Sequence, residues 1–409
     1  MIKSFSDYRC VVNTANYHNY RYFVLSQPEI SDIEFDTLYF SIQQYEEKHP
    51  DEVLPDSPTQ RVGSDLHSDA HTIPHRTPML SCQKSKTIDE VLRWMRSTSK
   101  RAVRALTYSS PDKIEYCVEW KYDGVSCSLV YQDGHLIEAS TRGDHVFGKD
   151  ILHHVMNIPS VPKVLRMGAR DNEGRFIPSL LFSQSHRGRL EVRGEIILPF
   201  ASLAATKSYN DTRTAVSAIL NTDSETPYDH LLQFRAWQMI ADECDNVSPA
   251  FYRYETTALS NLYDLLGFDI EEWDVATIDN IEQLITAYTA ARPDNVFPTD
   301  GLVIKLNDTS IWQAMGATDH HPKYSLAYKF AAQTAVTYCE ALSFTIGEKT
   351  GKLTHIAHFA PVTIGGKTYE KCSIGGDAAL RRLGIKVGSK VQVSLRNDVL
   401  LQIDHVITQ

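Results

Sequence analysis

The spacing of hydrophobic positions predicts a helical N-terminal segment. Residues 32–50 read DIEFDTLYFSIQQYEEKHP, in which apolar side chains recur every three or four positions. These apolar positions are Phe35, Leu38, Ile42 and Tyr45. Asp32 stands at the N-cap position and Pro50 ends the pattern. The polar, Pro-containing stretch 51–69 then predicts a linker, because it has neither the hydrophobic spacing of a helix nor that of a strand. A further helix is predicted for TIDEVLRWMRSTSKRAV, capped by Thr87 or Asp89.

From Lys113 onward the hydrophobic period changes from helical to two, which is typical of β-strands. The predicted strands are KIEYCVEW, VSCSLVY, HLIEASTR, RLEVRGEIIL, LLQFRAWQMI and GLVIKLN. Asp133 and Gly134 predict a hairpin turn between the second and third of these strands. Helices are predicted between the later strands, as in TIDNIEQLITAYTAA. The pattern therefore predicts a central α+β domain with a mixed sheet.

The last part of the chain has short strands separated by Gly and little helical pattern. The predicted strands are CEALSFTIG, LTHIAHFAPVTIGG, KTYEKCSIGG and KVQVSLRNDVLLQIDHVIT. This length and pattern favour a small OB-fold β-barrel. We therefore predict an α+β multidomain chain, with a helical domain at 1–75, a domain of mixed and antiparallel sheets at 76–332, and an OB-fold at 333–409.

Composition excludes several classes of protein. The 409 residues carry 41 Lys and Arg against 51 Asp and Glu, a net charge of −10. No run of about 18 apolar residues exists, so a membrane span is not expected. The N-terminus lacks the apolar core of a signal peptide, and the seven Cys form no CxxC pair. We therefore expect a cytoplasmic protein without a disulfide framework or a zinc site. The acidic balance argues mildly against non-specific coating of nucleic acid, although a local basic groove is compatible with it.

Candidate chemistry centres on the segment EWKYDG, in which Lys121 ends a predicted strand and Asp123 begins a turn. A single Lys on a strand is usually a solvated edge residue, and KxDG alone occurs often by chance. The same applies individually to EVRGE at 191–195, DGLVIK at 300–305 and AYKF at 327–330. The order of all four segments before an OB-like tail makes the set informative.

In this order the motifs resemble those of the covalent nucleotidyltransferases, which include polynucleotide ligases and mRNA capping enzymes. The resemblance sharpens to the bacterial NAD-dependent DNA ligases. It rests on YRYFVLSQPEISDIEFDTL, DSPTQRVG, HRTPMLSC, TRGD, NDTRTA, HPKYSLAYKF and KTGKLTHIAHFAPV, and it extends from about residue 16 to about residue 395. It implies a helical cap that binds nicotinamide mononucleotide (NMN), an adenylation domain and an OB-fold. The implied activity is the sealing of 5′-phosphate/3′-OH nicks during DNA replication and repair.

The resemblance implies a catalytic set, made up of Lys121, Asp123, Glu195, Lys305 and Lys329. Lys121 would be the nucleophile that forms a lysyl-AMP phosphoramide, and Asp123 would assist it. Lys305 and Lys329 would bind the α-phosphate, and as cations they would also lower the pKa of Lys121. Glu195 and Asp300 would hold Mg²⁺ through water, with Mn²⁺ as an alternative.

The resemblance also implies binding residues. Those expected to bind NAD are Tyr22, Asp32, Asp36, Ser81, Glu119, Arg142, Glu195, Trp237, Arg292, Lys305 and Lys329. The cap residues among them would contact NMN, Glu119 and the backbone near Ser81 would face the adenine edge, and Trp237 would stack on the base. Those expected to contact nucleic acid are Arg213, Lys349, Lys352, Arg381 and Arg382. We expect nicked duplex DNA as the partner, no membrane, and a monomer.

The chain departs from the family pattern at several positions. Phe23 and Phe35 replace polar residues of the cap, which predicts weaker or altered NMN binding. His145 replaces a Gly after TRGD, and Asn221 replaces an Arg. GKD also stands where the family has GED. Full-length relatives continue into zinc, helix-hairpin-helix and BRCT modules, whereas this sequence ends as the OB-fold closes. We therefore expect a short form, with an accessory, phage-borne or mobile-element role.

Two alternatives remain open from sequence. One is a ligase-like protein that binds nucleic acid but no longer seals it, and the other is an NAD-dependent ligase that acts on RNA ends. DNA and RNA are distinguished by contacts with the 2′-OH, for which the sequence holds no motif. ATP as the adenylate donor is disfavoured, because the chain carries the NMN-type cap and ends in LLQIDHVITQ.

Overall fold

A computed structural model provides the structure of the protein. It describes residues 2, 4–19, 21, 29–30, 32–54, 57–59, 71–105, 113–170, 176–181, 188–206, 209, 211–244, 252–270, 272–318, 321–331, 334–346, 353–364, 367–396 and 400–407. The chain divides into two compact units. The first unit comprises Met1–Tyr288 and Val296–Lys329, and the second comprises Thr289–Asn295 and Phe330–Gln409.

The chain begins with two packed helices, α1 (Phe5–Asn19) and α2 (Asp32–Lys48). Their shared core contains Tyr8, Val12, Ala15, Ile42 and Tyr45. The carboxylate of Glu46 is buried among hydroxyl groups and accepts a hydrogen bond from Tyr8 at 2.6 Å. The helix predicted over 32–50 is therefore confirmed, and it ends where a 3₁₀ turn begins at Pro50. The side chain of Asp32, the predicted N-cap, lies outside the described residues.

The rest of the first unit alternates strands and helices. Its helices are α3 (Ile88–Ala105), α4 (Leu152–Val155), α5 (Thr212–Leu220), α6 (Glu255–Asp264), α7 (Ile281–Ala291, which continues into the second unit) and α8 (Trp312–Met315). Its strands are β1 (Thr72–Pro74), β2 (Gln83–Ser85), β3 (Tyr116–Tyr122), β4 (Val125–Gln132), β5 (His135–Thr141), β6 (Phe147–Lys149), β7 (Arg166–Arg170), β8 (Phe176–Leu181), β9 (Gly188–Ile197), β10 (Gln233–Cys244), β11 (Trp273–Ala276), β12 (Thr299–Leu306) and β13 (Ser325–Lys329). Each predicted strand of this region corresponds to an observed one.

Local chemistry explains where two of these elements begin or turn. Helix α3 follows Thr87, whose Oγ1 accepts from the Glu90 N–H at 3.3 Å while the Glu90 carboxylate accepts from the Thr87 N–H at 3.2 Å. This reciprocal capping box identifies Thr87, and not Asp89, as the N-cap. In the predicted hairpin Asp133 and Gly134 both have positive φ, 50° and 80°, as a two-residue type I′ turn requires.

Two sheets carry the candidate chemistry. One has the strand order β11-β3-β12-β13-β2 and the other β10-β9-β4-β5. Neighbouring strands are antiparallel, except that β2 and β13 pair in parallel. The largest hydrophobic core lies around the second sheet and includes Leu129, Tyr131, Val192, Phe234 and Phe268. The predicted mixed-sheet domain is confirmed.

The second unit contains a five-stranded sheet with the order β16-β15-β14-β17-β18. Its strands are β14 (Thr334–Ile346), β15 (Leu353–Ile364), β16 (Lys367–Gly375), β17 (Lys390–Arg396) and β18 (Leu400–Val406). A helix not predicted from the strand pattern, α9 (Asp377–Leu383), follows β16 and ends at Gly384, where φ is 61°. This topology agrees with the predicted OB-fold. In the described part of the chain no helix is long and apolar enough to cross a bilayer.

Candidate active site

The register of the first sheet brings two predicted lysines together. Lys121 on β3 lies opposite Gly301 on β12, and Gly301 lies opposite Lys329 on β13. Directly opposed residues share one face of a sheet, so Lys121 and Lys329 flank a bare glycine backbone. A Cβ built on Gly301 would lie 2.0 Å from the Tyr328 carbonyl oxygen, so only glycine fits here.

Asp300 reaches these lysines because it lies in a β-bulge. Between Thr299 and Gly301 strand β12 holds one more residue than β3, and Asp300 is that residue. Bulges re-aim side chains in this way. The Lys121 Nζ lies 2.8 Å from Asp300 Oδ1, and the Lys329 Nζ lies 3.6 Å from Oδ2. The three side chains retain between 20 and 28% of their exposure, so the cluster is half-buried and open to a ligand.

The charge state of Lys121 differs from the prediction. Burial acts to lower its pKa, but the carboxylates of Asp300, Asp123 and Glu195 outweigh burial and raise the pKa above its usual value. The expectation that neighbouring cations lower this pKa is therefore wrong. The reason is that carboxylates, and not lysines, are the nearest charges. Burial likewise acts to raise the pKa of Asp300, but Lys121 outweighs it and the pKa falls.

Asp123 is held by an arginine that sequence assigned to nucleic acid. Arg213 Nη1 donates to Asp123 Oδ1 at 2.5 Å. Arg213 lies in the first turn of α5, where Asp211 caps the helix by accepting from the Thr214 N–H at 2.8 Å. The structure thus brings Arg213 to the lysine site, and its predicted contact with nucleic acid stays a prediction.

Glu195 completes the acidic side of the site. Its Oε2 accepts from the Ser126 hydroxyl on the neighbouring strand at 2.8 Å. Burial raises its pKa, although Lys121, Arg213 and Arg142 are close enough to act against burial. The approach of β9 to the KxDG turn requires a glycine, since a Cβ on Gly124 would lie 2.2 Å from the Ile196 carbonyl oxygen.

The TRGD loop is fastened to the segment before β2. Arg142 Nη1 donates to the Ser81 hydroxyl at 3.1 Å, and the ring of His321 lies 2.9 Å from the Ser81 carbonyl oxygen. His145, which replaces the family's Gly, has a φ of 76°. Its carbonyl oxygen accepts from the Met79 N–H at 3.1 Å, and its ring contacts the Met79 carbonyl oxygen. These contacts stabilise the unusual backbone and fix Ser81 beside the TRGD loop, and its predicted role at the adenine edge stays a prediction.

A second cluster lies further along the same sheet. The Lys305 ammonium lies 2.7 Å from Glu119 Oε1, 2.7 Å from Glu255 Oε1 and 2.5 Å from the Trp237 carbonyl oxygen. Lys305, Glu119 and Glu255 are 5, 7 and 1% exposed, so this is a buried ion cluster. Burial raises the pKa of Glu119 to about 7, although Lys305 acts in the opposite direction. Trp237 is the extra residue of a bulge between Ala236 and Gln238 on β10.

The two clusters are separate in space. Lys121 lies opposite Gly301 on β12, and Lys305 is four residues further along that strand. At the usual rise of a strand, the backbones of Gly301 and Lys305 are about 13 Å apart. All three donors of the Lys305 ammonium are engaged at the Glu119 end. Its contacts place it near the predicted base-facing residues, and the α-phosphate role implied for it stays a prediction.

Several predicted residues lie elsewhere or outside the described part. Tyr22, Lys349 and Lys352 are outside the described residues, as are the side chains of Asp32 and Asp36, whose backbones belong to α2. In the second unit, Arg292 places its guanidinium carbon 5.0 Å from the centre of the Phe330 ring. Arg381 and Arg382 lie in the last turn of α9.

Sequence reasoning did not single out two of the buried charges. One is Glu255, which gave no signal because an acidic residue in the first turn of a helix is ordinary. The other is Lys149 on β6, whose ammonium donates to the Asn221 carbonyl oxygen at 2.7 Å and to that of Thr222 at 3.2 Å. The sequence showed that Lys149 stands where the family has Glu, but it did not show which groups this lysine contacts.

Comparison with known proteins defines the family of this chain. The model of the NAD-dependent DNA ligase adenylation domain matches residues 67–333. The DNA ligase-like, N-terminal NAD⁺-binding domain matches residues 6–63, and the NAD-dependent DNA ligase OB-fold domain matches residues 336–409. The chain therefore belongs to the NAD-dependent DNA ligase family.

Curated relatives named DNA ligase agree with this assignment. That of Koribacter versatilis is 32% identical over 404 residues, which cover 96% of this chain and 56% of the relative. That of Halothermothrix orenii is 34% identical over 397 residues, which cover 96% of this chain and 55% of the relative. The chain thus spans little more than half the length of these relatives.

Proposed function

We propose that the chain is an NAD-dependent DNA ligase that seals nicks through a lysyl-AMP intermediate. The observation that carries this proposal is the half-buried cluster in which Lys121 contacts Asp300 beside Lys329. A nucleophilic lysine needs an exposed amino group among charges that respond to phosphate, and this cluster supplies both.

In the first step the Lys121 nitrogen attacks the adenylyl phosphorus of NAD, and the bond to NMN breaks. The attacking amine must first leave its ion pair with Asp300 and give its proton to solvent water, which reaches the partly exposed side chain. Lys329 is the cation placed to neutralise charge that develops on the phosphate. Arg213 holds Asp123 beside Lys121, so that this carboxylate keeps a fixed orientation while the ammonium is released.

The AMP group then passes to a 5′-phosphate at a nick. Attack by the adjacent 3′-OH on that phosphate forms the phosphodiester and releases AMP. Nicked duplex DNA is the substrate we propose, because the matching family models and relatives are those of DNA ligases.

The carboxylates of Glu195 and Asp300 fit a hydrated Mg²⁺, since hard oxygen donors are what this ion prefers. When bound, Mg²⁺ would supply positive charge near the phosphate and compete with Lys121 for Asp300. At the other end of the sheet, Glu119 and Trp237 would receive the adenine, with Lys305 beside them. The helices that precede residue 54 would receive NMN.

Labelling with adenine-labelled NAD tests the first step. Wild type should acquire a covalent, acid-labile adenylate, and Lys121→Ala should acquire none. A parallel reaction with labelled ATP should give no adduct if NAD is the donor. A wild-type protein that stays unlabelled in NAD would overturn the proposed function, and one that labels but joins no nicked duplex would confine it to adenylation.

A further inference from the structure

The buried cluster around Lys305 holds two carboxyl groups for one ammonium. Two carboxylates, Glu119 and Glu255, contact one ammonium at 2.7 Å each. An ion pair between Lys305 and Glu119 would already be neutral, and burying a further carboxylate is unfavourable unless it is firmly bonded. Glu255 is the most buried of the three, at 1% exposed, and it has no place in the catalytic steps above.

Glu255 is fixed by its position on helix α6. It opens the helix, where the free N–H groups favour a carboxylate. Its own N–H donates to the Asn307 carbonyl oxygen at 2.8 Å, and the Thr256 N–H donates to Asn307 Oδ1 at 3.2 Å. Asn307 is two residues beyond Lys305, directly after strand β12. The start of α6 is therefore tied to the strand that carries the lysine.

The three acceptors of Lys305 differ in what else they face. Glu255 and the Trp237 carbonyl belong to a helix start and a strand backbone, so both are rigid. Glu119 lies on β3 and is the residue expected to contact the base. A ligand can therefore replace the Lys305–Glu119 contact while the other two contacts persist.

We propose that Glu255 is a positioning residue that holds the Lys305 ammonium beside Glu119, so that the pair presents one hydrogen-bond donor and one acceptor to the edge of adenine. This inference rests on the proposed function and adds a basis for base selectivity. The adenine edge offers an amino donor at N6 and an acceptor at N1. The Glu119 carboxylate accepts from the first, and Lys305 donates to the second. Hypoxanthine reverses both groups, so a fixed donor–acceptor pair rejects it.

The test compares adenine and hypoxanthine nucleotides in wild type and Glu255→Gln, using the full chain. Equilibrium binding of AMP and IMP needs no chemistry, and single-turnover adenylylation with NAD and with nicotinamide hypoxanthine dinucleotide adds the rate. In Glu255→Gln we expect the AMP-to-IMP affinity ratio to fall about tenfold, the loss expected when one charge-assisted bond is weakened. KM for NAD should rise while the rate at saturation changes little.

Two further variants control for folding. Asp264→Asn, at the exposed end of the same helix, should leave both ratios unchanged. Glu255→Asp keeps the charge but shortens the side chain by one methylene, so it should give an intermediate AMP-to-IMP affinity ratio. This variant provides the test if the Gln variant does not fold.

An unchanged ratio in folded Glu255 variants, or a lost rate at saturation with an unchanged KM, would overturn the inference. So would a wild type that binds AMP and IMP equally. Failure of wild type to label with NAD, when AMP is still preferred over IMP, would count against the proposed function alone.

Discussion

At the scale of single residues, Arg213 shows how a contact changes the meaning of a motif. Its place in NDTRTA predicted a contact with nucleic acid. In the structure its guanidinium lies 2.5 Å from Asp123, which is two residues from Lys121. An arginine bonded to a carboxylate of the KxDG segment should act before any nucleic acid arrives. Loss of a nucleic-acid contact would weaken DNA binding, whereas loss of the contact with Asp123 would slow adenylylation.

Replacing Arg213 with alanine should therefore slow adenylylation in the absence of DNA. Asp123 is buried and would lose its charge-assisted partner, which corresponds to a rate loss of about tenfold to a hundredfold. The measurement is the rate of adduct formation with NAD alone. Arg381→Ala is the control and should leave this step unchanged. An unaffected rate in Arg213→Ala would return this residue to a role limited to nucleic acid.

Gly301 allows a second prediction at this scale. Gly301→Ala places a Cβ 2.0 Å from the Tyr328 carbonyl oxygen, so strands β12 and β13 must separate. We expect a loss of about 1–3 kcal/mol in the free energy of unfolding, as for other overpacked sites. Adduct formation should also fall, because Lys329 moves with β13. Gly376→Ala, whose Cβ would meet nothing closer than 3.8 Å, should change neither quantity in a urea titration and labelling assay.

At the scale of elements, helix α5 is bonded at both ends. Asp211 caps its N-terminus next to Arg213, and the ammonium of Lys149 bonds its C-terminal carbonyls. Lys149 is 4% exposed, and its other charged contact, Asp223 at 3.6 Å, is almost fully exposed. The carbonyl groups are therefore its main partners, and a cation there suits the negative end of the helix.

Lys149→Met should destabilise the chain by about 2 kcal/mol, since it leaves two carbonyl groups without their charged donor. Urea unfolding measures this change. Lys100→Met, at an exposed position of helix α3, is the matched control and should stay within about 0.5 kcal/mol of wild type. Equal stabilities of the two variants would show that Lys149 does not hold the end of α5.

The loop that contains TRGD should make stability depend on pH through His75. Its Nε2 lies 3.1 Å from the Arg142 carbonyl oxygen, and burial lowers its pKa below the ordinary value of about 6.5. The unfolded chain then binds a proton more readily than the folded one, so stability is complete above the unfolded pKa and falls as pH drops below it. His75→Gln should lose less stability than wild type between pH 7 and pH 5, as followed by urea titrations. Parallel curves for the two proteins would contradict this prediction.

At the scale of the whole molecule, the net charge of −10 means that the proposed contact with nicked DNA must use local basic surfaces. Arg381 and Arg382 on α9 supply one such surface. The double variant Arg381→Ala/Arg382→Ala should weaken binding to a nicked duplex and reduce the slope of log affinity against log salt by about 2, close to one for each lost phosphate contact. Titrations at several salt concentrations measure the slope. An unchanged slope would remove α9 from the nucleic-acid interface.

Sequence predicted the strands more readily than the partners of the buried lysines. Alternating residues such as Cys117 and Glu119 identified β3, and Asp133–Gly134 identified its neighbouring hairpin, because these signals are local. The contacts of Lys305 with Glu255 and of Lys149 with Asn221 join residues 50 and 72 positions apart. No periodicity records such a distance, and the bulges at Asp300 and Trp237 depend on the neighbouring strand as much as on their own.

The parallel pairing of β2 with β13 bears on how the protein is made. It joins residues 83–85 to residues 326–328, so two neighbouring strands of this sheet come from distant parts of the chain. Closing a chain of this length costs about 5 kcal/mol in entropy by the usual logarithmic estimate, and pairings between distant residues form late in folding. During synthesis, Lys121 emerges some 200 residues before Lys329. A nascent chain that ends before β13 therefore exposes an unpaired edge of β12, and nucleotide binding should begin only after that last strand has left the ribosome.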